Sequence, residues 1–302
     1  MDVRHDTWRV NGIELAVTTA GSGPLVVLAH GFPDLALTWR LQLPALVEAG
    51  YRVVAPDMRG YGRSARPAAV ADYDGDTIRG DLIGLLDHER ADRAHFVGHD
   101  FGAATVWPLG VTHPDRVLSL TGLSVPYALP SPVAPTRILR DRLGDDFYMV
   151  RFQEREAPEA ILERDVAHTL SAALSGRFDP PSFERDPGKP PEPPAWLPAD
   201  VFDVYVREFE RTGFGGGLNY YRNIDENWRQ ATRRDRQIIE APSLLITADQ
   251  DPVIRFMPPE RAARGFRDLR SHTVAGAGHW MHQENPEQVN ELILGHLRAA
   301  DR

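Results

Sequence analysis

The sequence contains no cysteine and only one lysine, Lys189, among its 302 residues. The absence of cysteine excludes disulfides, thiolate zinc sites and a cysteine nucleophile. A single lysine excludes a P-loop and a lysine Schiff base at any other position. Several common kinds of catalytic and metal site are therefore ruled out.

The chain also lacks an apolar run long enough to cross a bilayer, and its formal net charge is −9. A negative charge of this size argues against nucleic-acid binding, because phosphate recognition needs a basic face. The N-terminal segment 1–6 is polar and has no apolar core of the signal-peptide type. These absences predict a cytoplasmic protein without nucleic-acid or membrane partners.

Six short runs rich in branched apolar residues alternate with helical stretches along the chain. They lie at residues 25–29, 52–55, 94–97, 118–123, 244–247 and 272–274. Continuous apolar strands that alternate with helices are typical of a parallel sheet covered on both faces. We therefore predict an α/β fold with a mostly parallel sheet and helices on both faces.

The alternation stops between about residues 126 and 237, where the sequence is mainly helical, as at 157–163 and 201–211. Repeated prolines between residues 179 and 198 forbid regular structure there and predict a stiff loop. The sequence thus indicates an inserted helical lid. The predicted divisions are a first core part over 1–125, a helical cap domain over 126–237 and a second core part over 238–302.

The pentapeptide Gly-His-Asp-Phe-Gly at 98–102 has the form of a nucleophile elbow with aspartate in the place of serine. An elbow is a sharp turn between a strand and a helix. It needs glycine on both sides, because a Cβ atom there would collide with neighbouring backbone. The strand predicted at 94–97 and a helix predicted over 101–111 supply that context. Asp100 is therefore the predicted nucleophile.

Two further candidates follow predicted strands, at the sheet edge where open α/β folds bind ligands. Asp251 comes after the fifth of the six predicted strands, and His279 follows the last one through a glycine-rich segment. Together with Asp100 they occur in the order nucleophile, acid, histidine. That is the chain order of the α/β-hydrolase fold.

Both of these assignments have a neighbouring alternative. Asp249 also follows its strand, although it could simply cap the next turn, and we prefer Asp251. His282 is the alternative to His279, but it lacks the glycine-rich approach that aims a side chain over a strand edge.

The segment His-Gly-Phe-Pro at 30–33 follows the first predicted strand. In this fold an oxyanion hole takes one N–H from the residue after the nucleophile and one from this earlier loop. The predicted donors are the main chains of Phe101 and Phe32. Both side chains are also compatible with a role as core aromatics.

These segments resemble the epoxide hydrolases of the α/β-hydrolase superfamily. The resemblance includes Gly278-His279 and the octapeptide Asp-Met-Arg-Gly-Tyr-Gly-Arg-Ser at 57–64, and it covers nearly the whole chain. Its most specific part is the lid, where 147–154 and 217–223 match segments that hold the two ring-opening tyrosines of that family. Carried over by position, these are Tyr148 and Tyr221, with Tyr205 and Tyr220 as neighbouring alternatives.

The chemistry implied by the resemblance is consistent with the residues. An aspartate has a reference pKa near 3.9, so Asp100 can attack without a base and form an ester. His279, oriented by Asp251, would then take a proton from the water that hydrolyses this ester. Tyr148 and Tyr221 would protonate the opened epoxide. The expected product is a vicinal diol, and neither a cofactor nor a metal is expected.

Haloalkane and haloacid dehalogenases are the main alternative, because they resemble this chain and use the same Asp-His-Asp triad. They hold the departing halide or the substrate carboxylate with side-chain donors such as tryptophan or arginine. Phe32, Phe101 and Ala104 offer no such donors. A catalytically silent ligand-binding protein is a further alternative, since hydrolase folds also serve as binding modules.

Aromatic residues indicate an apolar slot for a small, apolar epoxide. The residues expected to bind substrate are Trp107, Tyr127 and Phe147. A homodimer is compatible with the sequence, which neither requires nor excludes one.

Overall fold

The computed structural model describes residues 1–176, 192–235 and 237–302. Its framework is an eight-stranded sheet. The strands are β1 (Val3–Val10), β2 (Ile13–Ala20), β3 (Leu25–Ala29), β4 (Arg52–Pro56), β5 (Ala94–His99), β6 (Val117–Leu123), β7 (Ser243–Ala248) and β8 (Leu269–Val274). Their spatial order is β1-β2-β4-β3-β5-β6-β7-β8. The pairs β1–β2 and β2–β4 are antiparallel, and all other neighbours are parallel.

Helices connect the strands and cover both faces of the sheet. Those of the core are α1 (Leu43–Glu48), α2 (Gly75–Glu89), α3 (Phe101–Val106), α4 (Leu109–Thr112), α12 (Met281–Glu284) and α13 (Pro286–Ala300). Those between residues 126 and 237 are α5 (Pro135–Leu143), α6 (Tyr148–Arg151), α7 (Ala157–Glu163), α8 (Val166–Leu174), α9 (Ala199–Thr212), α10 (Gly215–Arg222) and α11 (Ile224–Thr232). Short 3-10 helices occupy Ala36–Leu41, Val70–Tyr73, Pro114–Arg116, Pro252–Arg255 and Pro259–Gly265.

The predicted α/β architecture is confirmed, and each of the six predicted strands lies within an observed strand. The helix predicted over 101–111 is wrong in one respect, because it breaks at Trp107 and Pro108 into α3 and α4. Proline has no N–H to continue the helical hydrogen bonds, and its ring clashes with the preceding turn. The division into core and cap domains stays a prediction, and the proline-rich loop expected at 179–198 lies mostly outside the described residues.

A hairpin at the edge of the sheet was not predicted. β1 and β2 pair in register from Val3 with Ala20 to Val10 with Ile13. Asn11 and Gly12 form the two-residue turn, and both have positive φ, 46° and 81°. Positive φ at both positions is what a tight hairpin turn requires, and Asn-Gly is the sequence that most favours it.

The two faces of the sheet belong to two hydrophobic clusters. Side chains alternate along each strand, so that Val27 and Phe96 face the cluster shared with α2, α3 and the helices between residues 126 and 237. Val26 and Val97 face the cluster built with α1 and α13. Both faces of the central strands are therefore buried, which explains why their sequences are continuously apolar.

Candidate active site

The predicted nucleophile, Asp100, sits in the sharp turn between β5 and α3. Its φ is +53° and its ψ is −119°, a conformation that is uncommon for a residue with a side chain. Such backbone strain costs roughly 1–3 kcal/mol and persists only where the surroundings enforce it. Three glycines allow the close packing that encloses this turn. A Cβ at Gly98 or Gly102 would collide with backbone, and one at Gly31 would collide with the Asp100 side chain. The turn thus has the geometry expected of an elbow.

Backbone N–H groups hold the Asp100 carboxylate. The Phe32 N–H donates to Asp100 Oδ1 at 2.9 Å, and the Phe101 N–H also donates to this carboxylate. The buried His30 supports the loop that carries Phe32, because its Nε2 accepts the Met58 N–H at 2.9 Å. Burial lowers the pKa of His30 to about 4, which keeps the ring a neutral acceptor. The two predicted oxyanion donors therefore converge on one carboxylate.

The histidine lies between two carboxylates. His279 Nδ1 is 3.1 Å from Asp251 Oδ1 and 3.2 Å from Oδ2, so this side of the ring is hydrogen-bonded. On the other side, His279 Nε2 is 3.7 Å from Asp100 Oδ2, which is longer than a hydrogen bond. The Ser124 hydroxyl, 3.1 Å from His279 Nδ1, also hydrogen-bonds Asp251. The imidazole is thus oriented by the acid and faces the nucleophile.

These contacts set the charges of the site. Burial lowers the pKa of His279, but Asp251 and then Asp100 outweigh it and raise the pKa to about 9. The pKa of Asp251 falls to about 2, because His279, Ser124 and a backbone N–H outweigh the opposing effect of burial. Burial raises the pKa of Asp100, while the nearby imidazole and the two backbone donors oppose that rise. The raised pKa of His279 and the lowered pKa of Asp251 thus both favour an imidazolium paired with the Asp251 carboxylate.

The alternative residues lie elsewhere. Asp249 is exposed, and its Oδ1 accepts the Gly276 N–H at 2.8 Å. The buried His282 has its Nε2 2.7 Å from the Thr38 hydroxyl. Asp249 and His282 are thus engaged outside the group formed by Asp100, His279 and Asp251. The geometry favours Asp251 as the acid and His279 as the base, and both roles stay predictions.

The two lid tyrosines converge above the nucleophile. Tyr148 and Tyr221 are hydrogen-bonded to each other, with ring centroids 5.9 Å apart. The Tyr221 ring packs edge-on against Phe32 at 5.3 Å and Phe101 at 4.6 Å, the two residues whose N–H groups hold Asp100. Burial, followed by the charge of Asp100, raises the pKa of Tyr148 well above its ordinary value. Both phenols are therefore protonated and available as donors.

The neighbouring tyrosines are engaged elsewhere. Tyr220 donates its hydroxyl to the Arg59 carbonyl at 2.9 Å, and Tyr205 donates to Asp34 Oδ1 at 2.6 Å. Each of these phenols is fully committed to a buried acceptor. The pair carried over from the resemblance is thus the pair that meets over Asp100.

The three residues expected to bind substrate lie in different places. Phe147 packs against Tyr148 at 4.8 Å and thus borders the phenol pair. Trp107 is fully buried, donates its indole N–H to the Val125 carbonyl at 2.9 Å and packs on Phe266. Tyr127 also packs on Phe266. Substrate contact by these three residues stays a prediction.

Sequence reasoning missed three polar residues at the site, which are Ser124, Asp34 and Trp280. Ser124 directly follows β6, so the rule that found Asp251 could also have found it. Asp34 accepts hydrogen bonds from Leu35, Tyr205 and Trp280 and lies with His99 and His282. The Thr38 hydroxyl is a fourth donor to the Asp34 carboxylate. We therefore interpret this group as a hydrogen-bonded cluster and not as a set of metal ligands.

None of the helices in the described ranges combines the length and apolar character needed to span a membrane. The family model of the alpha/beta hydrolase fold matches residues 24–286. Epoxide hydrolase A of Mycobacterium tuberculosis is 44% identical, with 96% of each chain aligned, and epoxide hydrolase 3 of Siraitia grosvenorii is 37% identical, with 96% of this chain and 97% of that one aligned. The crystal structure of epoxide hydrolase A from Mycobacterium thermoresistibile superposes with a TM-score of 0.93 at 43% identity and covers 98% of both chains. These similarities and the geometry of the site lead to one conclusion: the chain belongs to the epoxide hydrolases of the alpha/beta hydrolase fold, enzymes that hydrolyse epoxides.

Proposed function

We propose that this epoxide hydrolase opens a small, apolar epoxide to a vicinal diol through a covalent ester on Asp100. The observation that carries the proposal is the meeting of two protonated phenols, Tyr148 and Tyr221, above a carboxylate that faces a histidine. Acid on one side of the substrate and a nucleophile on the other are what ring opening requires.

In the first step, Asp100 Oδ2 attacks an epoxide carbon, and the carbon–oxygen bond of the ring breaks with its electron pair going to oxygen. An alkoxide is a far stronger base than a phenolate, so Tyr148 and Tyr221 are well matched to protonate it. Asp100 Oδ1 stays on the Phe32 N–H throughout, since it becomes the carbonyl oxygen of the ester.

In the second step, His279 Nε2 takes a proton from a water molecule, whose oxygen attacks the ester carbonyl carbon. The 3.7 Å gap between Nε2 and Oδ2 lies on the side of the carboxyl that this water must reach. The tetrahedral oxyanion forms on Oδ1, where the Phe32 and Phe101 N–H groups stabilise it. Collapse of the tetrahedral intermediate releases the diol, whose oxygen takes the proton back from His279. The regenerated carboxyl of Asp100 still carries the second proton of the water, and transfer of this proton to the phenolate left by the first step restores the starting enzyme.

Ester formation also prepares the base. Burial lowers the pKa of His279, whereas Asp251 and Asp100 raise it. Alkylation removes the charge of Asp100, so the pKa of His279 falls when the ester forms. Once the ester has formed, the imidazolium therefore loses its proton to solvent more readily, and the neutral ring can then accept a proton from water.

The side chains around the nucleophile argue against halide release. Phe32 and Phe101 place hydrocarbon rings beside Asp100, and the indole N–H groups of Trp107 and Trp280 already donate to a carbonyl and to a carboxylate. A departing halide needs free N–H donors. The phenol pair instead supplies O–H donors suited to an alkoxide.

Single-turnover hydrolysis in ¹⁸O-labelled water tests the ester. We expect the label to enter the carboxylate of Asp100 and the first diol to carry none, because the attacking oxygen comes from the protein. Mass spectrometry of the peptide that contains Asp100 and of the diol measures both. Label found directly in the first diol contradicts the ester.

Two of our expectations from the sequence concern the protein's surroundings. We also propose a cytoplasmic location, and a homodimer remains compatible with the chain. Fractionation of cells and light scattering of the purified protein measure these two properties directly.

A further inference from the structure

The buried carboxylate of Asp34 joins three segments of the molecule. Asp34 directly follows the oxyanion loop, and its Oδ1 accepts the Leu35 N–H at 2.9 Å. The same oxygen accepts the hydroxyl of Tyr205 at 2.6 Å, from helix α9. Its Oδ2 accepts the indole N–H of Trp280 at 3.2 Å, from the loop that carries His279. One side chain thus connects the helical insertion with the loop of the predicted base.

Trp280 is held from the insertion by a second contact. Its indole stacks on Trp196 with a centroid distance of 6.3 Å and an interplanar angle of 26°. On its other side it meets the His279 ring edge-on, at 4.6 Å and 83°. The indole therefore packs against one side of the His279 ring, and its orientation is determined by both the insertion and Asp34.

From these contacts we propose that Tyr205 is a positioning residue for ester hydrolysis. Its phenol holds the Asp34 carboxylate, the carboxylate fixes the Trp280 indole, and the indole fixes the ring of His279. Tyr205 itself touches neither substrate nor reacting atom. The inference rests on the proposed ester mechanism and assigns a function to a phenol that this mechanism leaves unused.

Charge reinforces the geometry. Burial raises the pKa of Asp34 to about 6, and the hydroxyl of Tyr205 is the foremost of the donors that oppose this rise. The negative charge of Asp34 in turn contributes to the raised pKa of His279, after burial, Asp251 and Asp100. Loss of the phenol hydroxyl would thus raise the pKa of Asp34 further, neutralise it at higher pH and weaken His279 as a base.

Other ionisable groups face Asp34 from the elements packed against it. They are His99 of β5, His282 of α12, His279, Tyr61, Arg40 and Tyr205 itself. Burial holds the pKa of His99 at about 3 and that of His282 well below its ordinary value. Both rings are therefore neutral at working pH, so Asp34 is the group of this cluster that changes charge near pH 6.

The test separates ester formation from ester hydrolysis. Rapid-quench mass spectrometry of the whole protein follows the rise and decay of the ester in the wild type and in Tyr205→Phe. We expect ester formation to stay within about twofold and hydrolysis to slow about tenfold, since a small displacement of a base costs on this order. The acidic limb of the hydrolysis rate, which reports protonation of His279, should also move to lower pH, because a neutral Asp34 stabilises the imidazolium less.

Tyr51→Phe is the matched control, because the Tyr51 hydroxyl also donates to an aspartate, Asp301, at 2.7 Å, but far from the site. It should leave both rates and the acidic limb unchanged. Trp280→Phe removes the indole donor to Asp34 while keeping a ring, and it should slow hydrolysis selectively as well. This second variant tests the inference even if Tyr205→Phe fails to fold.

Three results would overturn the inference. Tyr205→Phe could slow both steps equally, it could lose only stability with hydrolysis and its acidic limb unchanged, or Trp280→Phe could leave hydrolysis unaffected. A wild-type protein that never forms the ester contradicts the proposed mechanism together with this inference. An ester that forms in both proteins and decays at the same rate contradicts the role of Tyr205 alone.

Discussion

The two ends of the sheet each carry a histidine that contacts both a hydroxyl and a carboxylate. At the carboxyl end, His279 meets Ser124 and Asp251. At the amino end, near the start of β5, His95 Nδ1 lies 2.8 Å from the Ser119 hydroxyl and Nε2 lies 3.0 Å from Asp301 Oδ1. The same residue types therefore occur twice, but burial lowers the pKa of His95 whereas the pKa of His279 is raised to about 9.

The difference comes from the number and the exposure of the carboxylates. The Asp251 side chain is fully buried, and Asp100 supplies a second negative charge on the opposite side of His279. The Asp301 side chain is 32% exposed, so water screens its single charge. Both nitrogens of His95 are occupied, which leaves it no atom for a substrate. A histidine, an acid and a hydroxyl thus hold the end of helix α13 against the sheet in one place and form a candidate catalytic base in the other.

Removal of Asp100 tests this distinction most severely. We expect Asp100→Ala to lower epoxide turnover on the order of 10⁴-fold or more, because the carboxylate proposed to attack the epoxide is lost. Chromatographic measurement of the diol follows the loss. Asp301→Ala, the equivalent change at the amino end, should retain turnover within about twofold, and equal losses in the two variants would contradict the comparison.

Replacement of each histidine gives the next largest effect. His279→Gln should still form the ester but hydrolyse it about 10³-fold more slowly, since the water loses its base. Intact-protein mass spectrometry should then show the protein shifted by the mass of the epoxide. His95→Gln should accumulate no ester and lose only stability. Absence of the ester intermediate in His279→Gln would count against the role of His279.

The two phenols at the carboxyl end of the sheet allow a further test. Tyr148→Phe with Tyr221→Phe should slow ester formation about 10²- to 10⁴-fold, because the alkoxide loses its acid. Stopped-flow measurement of the first step and circular dichroism of the fold separate chemistry from stability. Tyr220→Phe, whose hydroxyl is committed to the Arg59 carbonyl, is the control within the insertion and should leave the first step nearly unchanged.

The smallest effect concerns stability and pH, and here the two histidines should behave in opposite ways. The pKa of His279 is raised in the fold, so its stabilisation is complete below about pH 6.5 and is lost as pH rises through about 9. The pKa of His95 is lowered, so its stabilisation is lost as pH falls below about 6.5. One proton changes the free energy of unfolding by at most about 1.4 kcal/mol per pH unit.

Urea unfolding of the wild type, His279→Gln and His95→Gln across pH 5–9.5 measures these trends. The difference between wild type and His279→Gln should shrink at alkaline pH, and that between wild type and His95→Gln should shrink at acidic pH. Parallel curves for the two variants would show that the two clusters have the same electrostatics.

Much of this arrangement was predictable, because its signals are local. The parallel strands are continuously apolar, and the elbow is a five-residue pattern with glycine where a Cβ cannot fit. The hairpin turn at Asn11-Gly12 and the helix break at Pro108 also had local signals, which a stricter use of turn and proline chemistry would have found.

The hydrogen-bonded group around Asp34 had no such signal. Its partners Tyr205 and Trp280 are 171 and 246 residues away in the chain, one in the insertion and one in the loop after β8, and they meet Asp34 only through tertiary packing. The pKa directions of His95 and His279 were equally inaccessible, because they depend on burial and on charges from other strands. Residue type and spacing identify candidates, while tertiary packing decides their protonation.

The crowding around the elbow has a consequence for how this enzyme can diversify. Side chains at Gly31, Gly98 or Gly102 would strike the nucleophile or its backbone, so these positions are closed to substitution. The lid segment around Phe147 is half-buried, and Phe147 contacts Phe256 next to the phenol pair. Side chains there can therefore change in size without disturbing the turn. Evolution of substrate range, natural or directed, should therefore proceed through the lid while the reacting machinery remains invariant.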